Sequence, residues 1–314
     1  MLTVAMILGP EFQVMNLASL TVFEVANFNA QKTLYDIQLL SEAGGLVRSS
    51  IGTPMVTQPF GDSSVDTVIF GGPIRIIPAS EAVRAFARKA LGSSRRVAAV
   101  CTGAFTLAEA GVLDGRRATT HWIAASELRE RFPAVKVEED RIFIVDGPVW
   151  TSAGMSAGID LALGMVERDF GADLARSVAQ ALVVYHRRAG GQTQHSALLD
   201  MNSKSDRIQN ALAYAQGHLA MSLGVEELAA SVNLSPRHFS RAFRAETGLS
   251  PAKAVENLRL EAARVMLEQS RHPISDIASN TGFGDEERMR RAFIRAFGHS
   301  PQALRRSARS DGVE

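Results

Sequence analysis

The sequence predicts an α/β domain with a mainly parallel sheet sandwiched by helices, followed by an all-α domain with two helix-turn-helix motifs joined by a long helix. Two observations carry this. Over residues 1–190 short apolar runs alternate with helical patterns, the signature of buried strands covered on both faces. From 225 to 301 one two-helix pattern is written twice.

In chain order, strands are expected at LTVAMIL (2–8), LYDIQLLS (34–41), DTVIFGG (66–72), VAAVC (97–101), RIFIVDG (141–147) and PVWTSAG (148–154). Helices are expected near 14–28, 80–91, 103–110, 121–132 and 155–169. Such alternation gives a flavodoxin-like sheet, whose ligands bind beyond the carboxyl ends of the strands. Trp122 and Trp150 are read as core or pocket-wall aromatics, core being favoured since large aromatics are highly buried on average.

The sharpest motif of this half is VAAVCTGAFTLAEAGVLDG (97–115). An apolar strand runs into Cys101 and Thr102-Gly103-Ala104 opens a helix, so the thiol sits on a strand-to-helix elbow facing backbone N–H groups. That geometry is expected to lower the thiol pKa and to build an oxyanion site. Gly71-Gly72 brings a second backbone close to the same edge, and His121 in ATTHW is the nearest base by topology. A lone cysteine ending an apolar strand is by default a buried small hydrophobe, and His121 by default a capping or packing residue.

His186-Arg187-Arg188 with Gly190-Gly191 offers a cationic set for an anion. The glycines more simply end the last helix of the domain. Residues 191–205 are polar and read as a linker, leaving 206–309 as the second domain.

There the repeat is explicit. Phe239, Arg241, Ala242, Phe243, Gly248, Ser250 and Pro251 recur fifty positions later as Met289, Arg291, Ala292, Phe293, Gly298, Ser300 and Pro301; Leu228 and Ala229 recur forty-nine later as Ile277 and Ala278. The second copy therefore holds one extra turn residue. Ser235 followed by Pro236 starts the first long helix and Asp285 the second. Around the apolar stripe the first helix shows Arg237, His238, Ser240, Arg241 and Arg244, and the second shows Glu286, Glu287, Arg288, Arg290 and Arg291. Arginine pairs with guanine edges and glutamate accepts from cytosine, so both faces suit a major groove. Solvated hairpins would explain one copy, but two copies in register favour DNA. Between them, residues 252–269 read as one helix with Val255, Leu258, Ala262, Val265 and Met266 on its buried side. At about 25 Å long, it would hold the reading helices about one DNA turn apart, in two successive major grooves.

Composition agrees with these readings. The 314 residues suit two domains, and 46% hydrophobic with 21% charged residues describe globular material. Net charge is +1. From Ser205 onward 15 Lys and Arg face 13 Asp and Glu, so DNA affinity must come from local clustering, as in the seven arginines against three acids between Asp285 and Arg309. A single cysteine excludes an intrachain disulfide and fits a reducing cytoplasm. No export signal and no apolar run of membrane-spanning length is present, so no membrane partner is expected.

Residues 206–309 resemble the DNA-binding domain of the AraC/XylS family of bacterial transcription regulators, through LAASVNLSPRHFSRAFRAETGLSP, the Gly282-Phe283 turn and the closing GxSPxxxRR. Met289 departs from the aromatic usual in that family and can fill the same core site. The first half resembles the class I glutamine amidotransferase-like superfamily in its PfpI-like branch, the GlxA-type group fused to AraC-type domains. FQVMNLASLTVFEVAN (12–27), IFGGP (69–73), CTGAFTLAEAGVLDGRRATTHW (101–122), TSAGMSAGIDLALGMVERDFG (151–171) and VVYHRRAGGQTQ (183–194) carry that resemblance.

The resemblance implies a cytoplasmic, sequence-specific DNA-binding transcription regulator. Its first domain would sense a small, often nitrogenous, metabolite or mediate homodimerisation, and RNA polymerase is a further expected partner. The ligand pocket is expected at Glu11, Asn16, Gly72, Cys101, Thr102 and His121. Catalysis is not expected. The set Cys101, His121 and Glu11 is incomplete beside true amidotransferases, because Thr102 follows the cysteine where they have Gly and Asn16 stands where many relatives have Asp. No cofactor or metal is expected. The alternative is a cysteine-dependent amidase or glyoxalase-type enzyme with a DNA-binding tail.

Overall fold

All six strands expected from the apolar runs form. The computed structural model describes residues 1–61, 65–184, 190, 194, 205–269 and 272–310, and divides into two units, Met1–Gln194 and His195–Glu314.

The strands of the first unit are β1 (Leu2–Ile7), β2 (Tyr35–Ser41), β3 (Ala43–Arg48), β4 (Pro54–Pro59), β5 (Thr67–Gly71), β6 (Arg96–Val100), β7 (Arg117–Ala118), β8 (Lys136–Val137), β9 (Phe143–Asp146) and β10 (Val149–Ser152). Eight of them form one sheet in the order β3-β4-β2-β1-β5-β6-β10-β9, parallel except for the two edge strands β3 and β9. β7 and β8 pair separately.

The sheet is covered on both faces, which is why its strands read as unbroken apolar runs. Val4 and Met6 of β1 join one core cluster with Phe23, Leu161, Met165 and Val178, from α1 (Ala18–Ala30), α5 (Ser156–Phe170) and α6 (Ala172–Ala181). Ala5 and Ile7 join the other with Ala87, Phe105, Leu107 and Leu128, from α2 (Glu81–Ser93), α3 (Gly103–Glu109) and α4 (Trp122–Arg131). Chain order reverses at β1, whose neighbours are β2 and β5. A doubly wound sheet opens its ligand crevice at such a reversal, beyond the carboxyl ends of the strands.

The β3–β4 hairpin and α6 were not anticipated, and Trp122 departs from its expected place. Trp150 is buried, but Trp122 is 49% exposed because it opens α4 on the solvent side. The segment 186–188 and Gly191 lie outside the described residues. Gly190 packs on β9, where an added Cβ would meet Phe143 O at 2.6 Å; whether the glycines end a helix falls on residues outside the description.

The second unit contains α7 (Asp206–Gly217), α8 (Val225–Ala230), α9 (Pro236–Thr247), α10 (Pro251–Gln269), α11 (Ile274–Asn280), α12 (Glu286–Phe297) and α13 (Pro301–Ser310). The repeat is structural. Asn233 and Gly282 take the same left-handed conformation (φ 55° and 77°), and Leu234 N and Phe283 N make the same bond to Ala229 O and Ala278 O. The extra turn residue of the second copy is Gly284 (φ 81°). Gly248 and Gly298 end α9 and α12 in the left-handed cap that favours glycine. Met289 is fully buried, filling its core site.

α10 packs twice. Ala254, Val255 and Leu258 join the core around Phe239 and Phe243, whereas Leu260, Ala263 and Leu267 join the core around Met289 and Phe293. A single stripe through Ala262, Val265 and Met266 is therefore corrected, because those three are only half-buried. The buried face turns partway along the helix to serve two cores.

Candidate ligand pocket and candidate DNA interface

The carboxyl ends of β1, β5, β6 and β10 converge on Cys101. The residue adopts φ 56°, a conformation that costs a side-chain-bearing residue energy unless its surroundings enforce it. They do so through close backbone approaches. A Cβ on Gly154 would lie 2.7 Å from Cys101 N, and one on Gly72 2.5 Å from Gly103 N. Thr102 Oγ1 donates to Pro73 O, Cys101 N to Ser152 O (3.1 Å) and Thr120 Oγ1 to Cys101 O (2.8 Å).

This packing overturns the expected acidic thiol. Cys101 is 5% exposed, and burial pushes its pKa up despite hydrogen bonds from the Thr102 backbone and side chain. The Thr102 N–H does reach the sulfur, yet desolvation of the thiolate outweighs it.

The other expected pocket residues separate into two groups. Gly72, Thr102 and Asn16 sit at the elbow. Asn16 is 3% exposed, and its Nδ2 donates to Gly72 O at 2.7 Å while its Oδ1 has no partner. Glu11, in contrast, is exposed on the turn after β1 with φ 58°, and its own N–H donates to Arg48 O (2.9 Å). His121 is half-buried and its Nδ1 accepts from Ile123 N at 3.4 Å, capping α4. Thr120 links that cap to the elbow.

Sequence reasoning missed Gly154, Met155 and Gln194. Met155 holds φ 51° after β10, and Gln13 Nε2 lies 4.0 Å from its Sδ. A methionine between glycine and helix in TSAGMSAG was the available signal. Gln194 Nε2 donates to Thr120 O and Glu139 O, each at 2.8 Å, and its Oε1 accepts from Trp122 N at 2.8 Å. Among the described residues no group of three His, Cys, Asp or Glu could hold a metal.

In the second unit both reading helices form with the expected caps. Ser235 Oγ accepts from His238 N (3.4 Å) and Asp285 Oδ1 from Arg288 N (2.8 Å). Arg237, His238, Arg241 and Arg244 on α9 are exposed, with Ser240 half-buried, and Glu286, Glu287, Arg288, Arg290 and Arg291 on α12 are exposed. Opposite them Phe239, Phe243, Met289 and Phe293 are buried, so the polar faces are presented outward on rigid helices. Beside α12 and α10 lies a cleft of about 460 Å³ rimmed by Arg259, Arg288, Arg291 and Arg295. Such cationic helix faces are suited to groove edges and phosphates.

Comparison with known proteins accounts for both units. The DJ-1/PfpI family model matches residues 3–168, and a helix-turn-helix domain model matches 228–307. The HTH-type transcriptional regulator GlxA of Rhizobium meliloti is 31% identical, over 98% of this chain and 96% of its own length. Isonitrile hydratase of Pseudomonas putida is 38% identical over 42% of this chain and 58% of its own. The crystal structure of an AraC family transcriptional regulator from Pseudomonas putida shares the fold, with a TM-score of 0.54 at 22% identity over 58% of this chain and 100% of that one.

Proposed function

The chain belongs to the DJ-1/PfpI family, joined to an AraC-type helix-turn-helix domain, and we propose that its first unit is a small-molecule sensor governing DNA binding by the second. The chain is a DNA-binding transcription regulator: the paired motifs, their outward cationic faces and the full-length likeness to GlxA agree. Its relatives along the whole length are regulators, while isonitrile hydratase marks the first domain's family as one that also holds enzymes. No helix among the described residues is long and apolar enough to cross a membrane.

The observation that carries the sensing reading is Asn16 Oδ1, a buried acceptor without a partner beside the elbow. An unmet buried acceptor costs about 1–3 kcal/mol, and a ligand N–H or O–H placed there would recover it. An effector bearing a donor, such as an amino acid, amine or amide, is the class that fits. Action as a cytoplasmic homodimer, with one chain reaching two successive major grooves and RNA polymerase as a downstream partner, completes the proposal.

The test is a thermal-shift screen of small amines, amides and amino acids against the full chain. A compound at a hundred times its Kd should stabilise by about 2.7 kcal/mol. Asn16→Leu should abolish that shift, and the compound should change affinity for duplex DNA in the wild type alone. A binder whose effect survives Asn16→Leu would place sensing elsewhere.

A further inference from the structure

The two reading helices carry opposite charge at one matched position. In the fifty-residue register Arg237 on α9 corresponds to Glu287 on α12, Arg241 to Arg291 and Arg244 to Ile294. All six side chains are exposed. Among the described residues Arg237, Arg241 and Arg244 have no carboxylate within ion-pair distance, so α9 offers three uncompensated cations.

α12 is built differently. Glu287 Oε2 accepts from Arg290 Nε at 2.7 Å and its Oε1 from Arg290 Nη2 at 2.9 Å, the two-pronged geometry that a guanidinium favours. The same carboxylate lies 3.8 Å from Arg291 Nε. Arg288 pairs with Asp285 at 3.2 Å and Arg295 with Glu256 at 3.0 Å. Every arginine of α12 thus stands beside a carboxylate. The Arg290 guanidinium also holds the Glu287 carboxyl below its usual range.

We propose that Glu287 is a specificity-determining residue: it holds Arg290 and Arg291 back from arbitrary phosphates and turns to DNA where a cytosine N4 amino group offers it a donor. The inference rests on the reading of α9 and α12 as groove-binding helices. On unmatched DNA the carboxylate meets phosphates and acceptor-rich base edges and is repelled. On the matched step it gains a partner, and its two arginines are freed for guanine edges or phosphates. α9 meanwhile supplies the sequence-independent grip, since counterion release scales with the phosphates that free cations touch.

The experiment measures affinity of the full chain for random-sequence duplexes of about thirty base pairs across a salt series. Wild type, Glu287→Gln, Asp206→Asn and the double variant Arg237→Ala/Arg241→Ala are compared. Glu287→Gln should bind random duplex roughly five- to tenfold tighter near 0.1 M salt, with a log–log salt slope steeper by about 0.9 for each arginine freed. Asp206→Asn, which removes one exposed negative charge from the start of α7 outside both motifs, should stay close to wild type. Selection from a randomised duplex library should show a cytosine preference in the wild type that Glu287→Gln loses.

An unchanged slope in Glu287→Gln, an equal response from Asp206→Asn, or an unaltered base preference would each overturn the assignment. Failure of the underlying reading looks different. The double variant should flatten the slope by about two; if it binds like the wild type, or the wild type ignores duplex DNA, the groove-binding reading falls and the proposal with it.

Discussion

Gly154 and Cys101 share one site on the sheet edge: a Cβ on residue 154 would come within 2.7 Å of both the Cα and the N of Cys101. Gly154 also holds φ 79°, in the left-handed region. The elbow is thus closed from above by backbone, and its depth is set by a residue fifty-three positions away.

Gly154→Ala should accordingly destabilise the first unit by about 2–4 kcal/mol, the sum of overpacking and left-handed strain. Gly111 provides the control. It has φ 74°, but an added Cβ would meet only Asp114 Oδ2 at 3.6 Å, so Gly111→Ala should cost about 1–2 kcal/mol from strain alone. Urea unfolding of both variants measures the difference, and equal losses would show that Gly154 is not a packing constraint.

The Cys101 thiol should alkylate slowly in the folded chain. Burial raises its pKa, so at neutral pH the thiolate is scarcer than in an unfolded peptide. As the chain's single cysteine it reports without interference. Iodoacetamide labelling should be slower than in urea, and the midpoint of its rise with pH should lie above the ordinary value of 9.0. The thiol's contribution is intact below pH 9.0 and is lost as pH rises further, because the unfolded chain ionises first. Cys101→Ala should remove that alkaline slope while leaving affinity for duplex DNA unchanged. Labelling as fast as in the unfolded chain would restore the nucleophile reading.

The elbow itself was legible in VAAVCTGA, because an apolar run ending in Cys-Thr-Gly specifies a strand, a tight turn and a helix. The chemistry at its tip was not. Whether helix N–H groups or desolvation wins depends on Gly154 and Thr102 closing over the sulfur, a long-range packing fact. The β3–β4 hairpin escaped notice for a related reason. Its residues are mostly exposed, with a burial pattern that leaves only Thr57 fully inside, so no hydrophobic period marks it. α7 was missed as a separate element because its four buried positions precede the repeat that drew the reading. The caps at Ser235 and Asp285, by contrast, were readable locally, since a cap is made by residues three positions apart.

Asp169 should control acid stability. Its carboxylate is buried, which alone would raise its pKa, but hydrogen bonds from Arg96 and Arg95 overcome burial and hold it below the usual range. Tyr35 OH is a third donor residue at 2.9 Å, and burial together with that carboxylate pushes the phenol far above its ordinary value. A depressed carboxyl contributes stability above pH 3.8 that is lost as pH falls through its folded value. Asp169→Asn should cost about 3–5 kcal/mol by leaving the buried Arg96 without its counter-charge. It should also shallow the acid limb of the stability profile. A variant melting like the wild type at pH 7 would show that the arginines find other partners.

Arg259, in the middle of α10, donates from Nε to Leu219 O (3.2 Å) and from Nη2 to Met221 O (2.7 Å). Both carbonyls lie between α7 and α8. Gly282 in the second motif's turn closes on the same guanidinium, where an added Cβ would stand 2.7 Å from Arg259 Nε. One side chain therefore ties the first motif to the turn of the second, across the 19-residue α10. That helix spans about 28 Å, close to the ~34 Å of one DNA turn. On a duplex selected by the wild type, inserting about five base pairs between the half-sites turns the second groove to the opposite face and should cost at least tenfold in affinity. Arg259→Ala leaves two carbonyls without this donor and loosens the joint. It should bind the original duplex less tightly and lose much of its discrimination against the insertion. A wild type indifferent to the insertion would mean that one chain grips a single groove. Equal discrimination in both proteins would mean that the two helical cores along α10, rather than Arg259, fix the spacing.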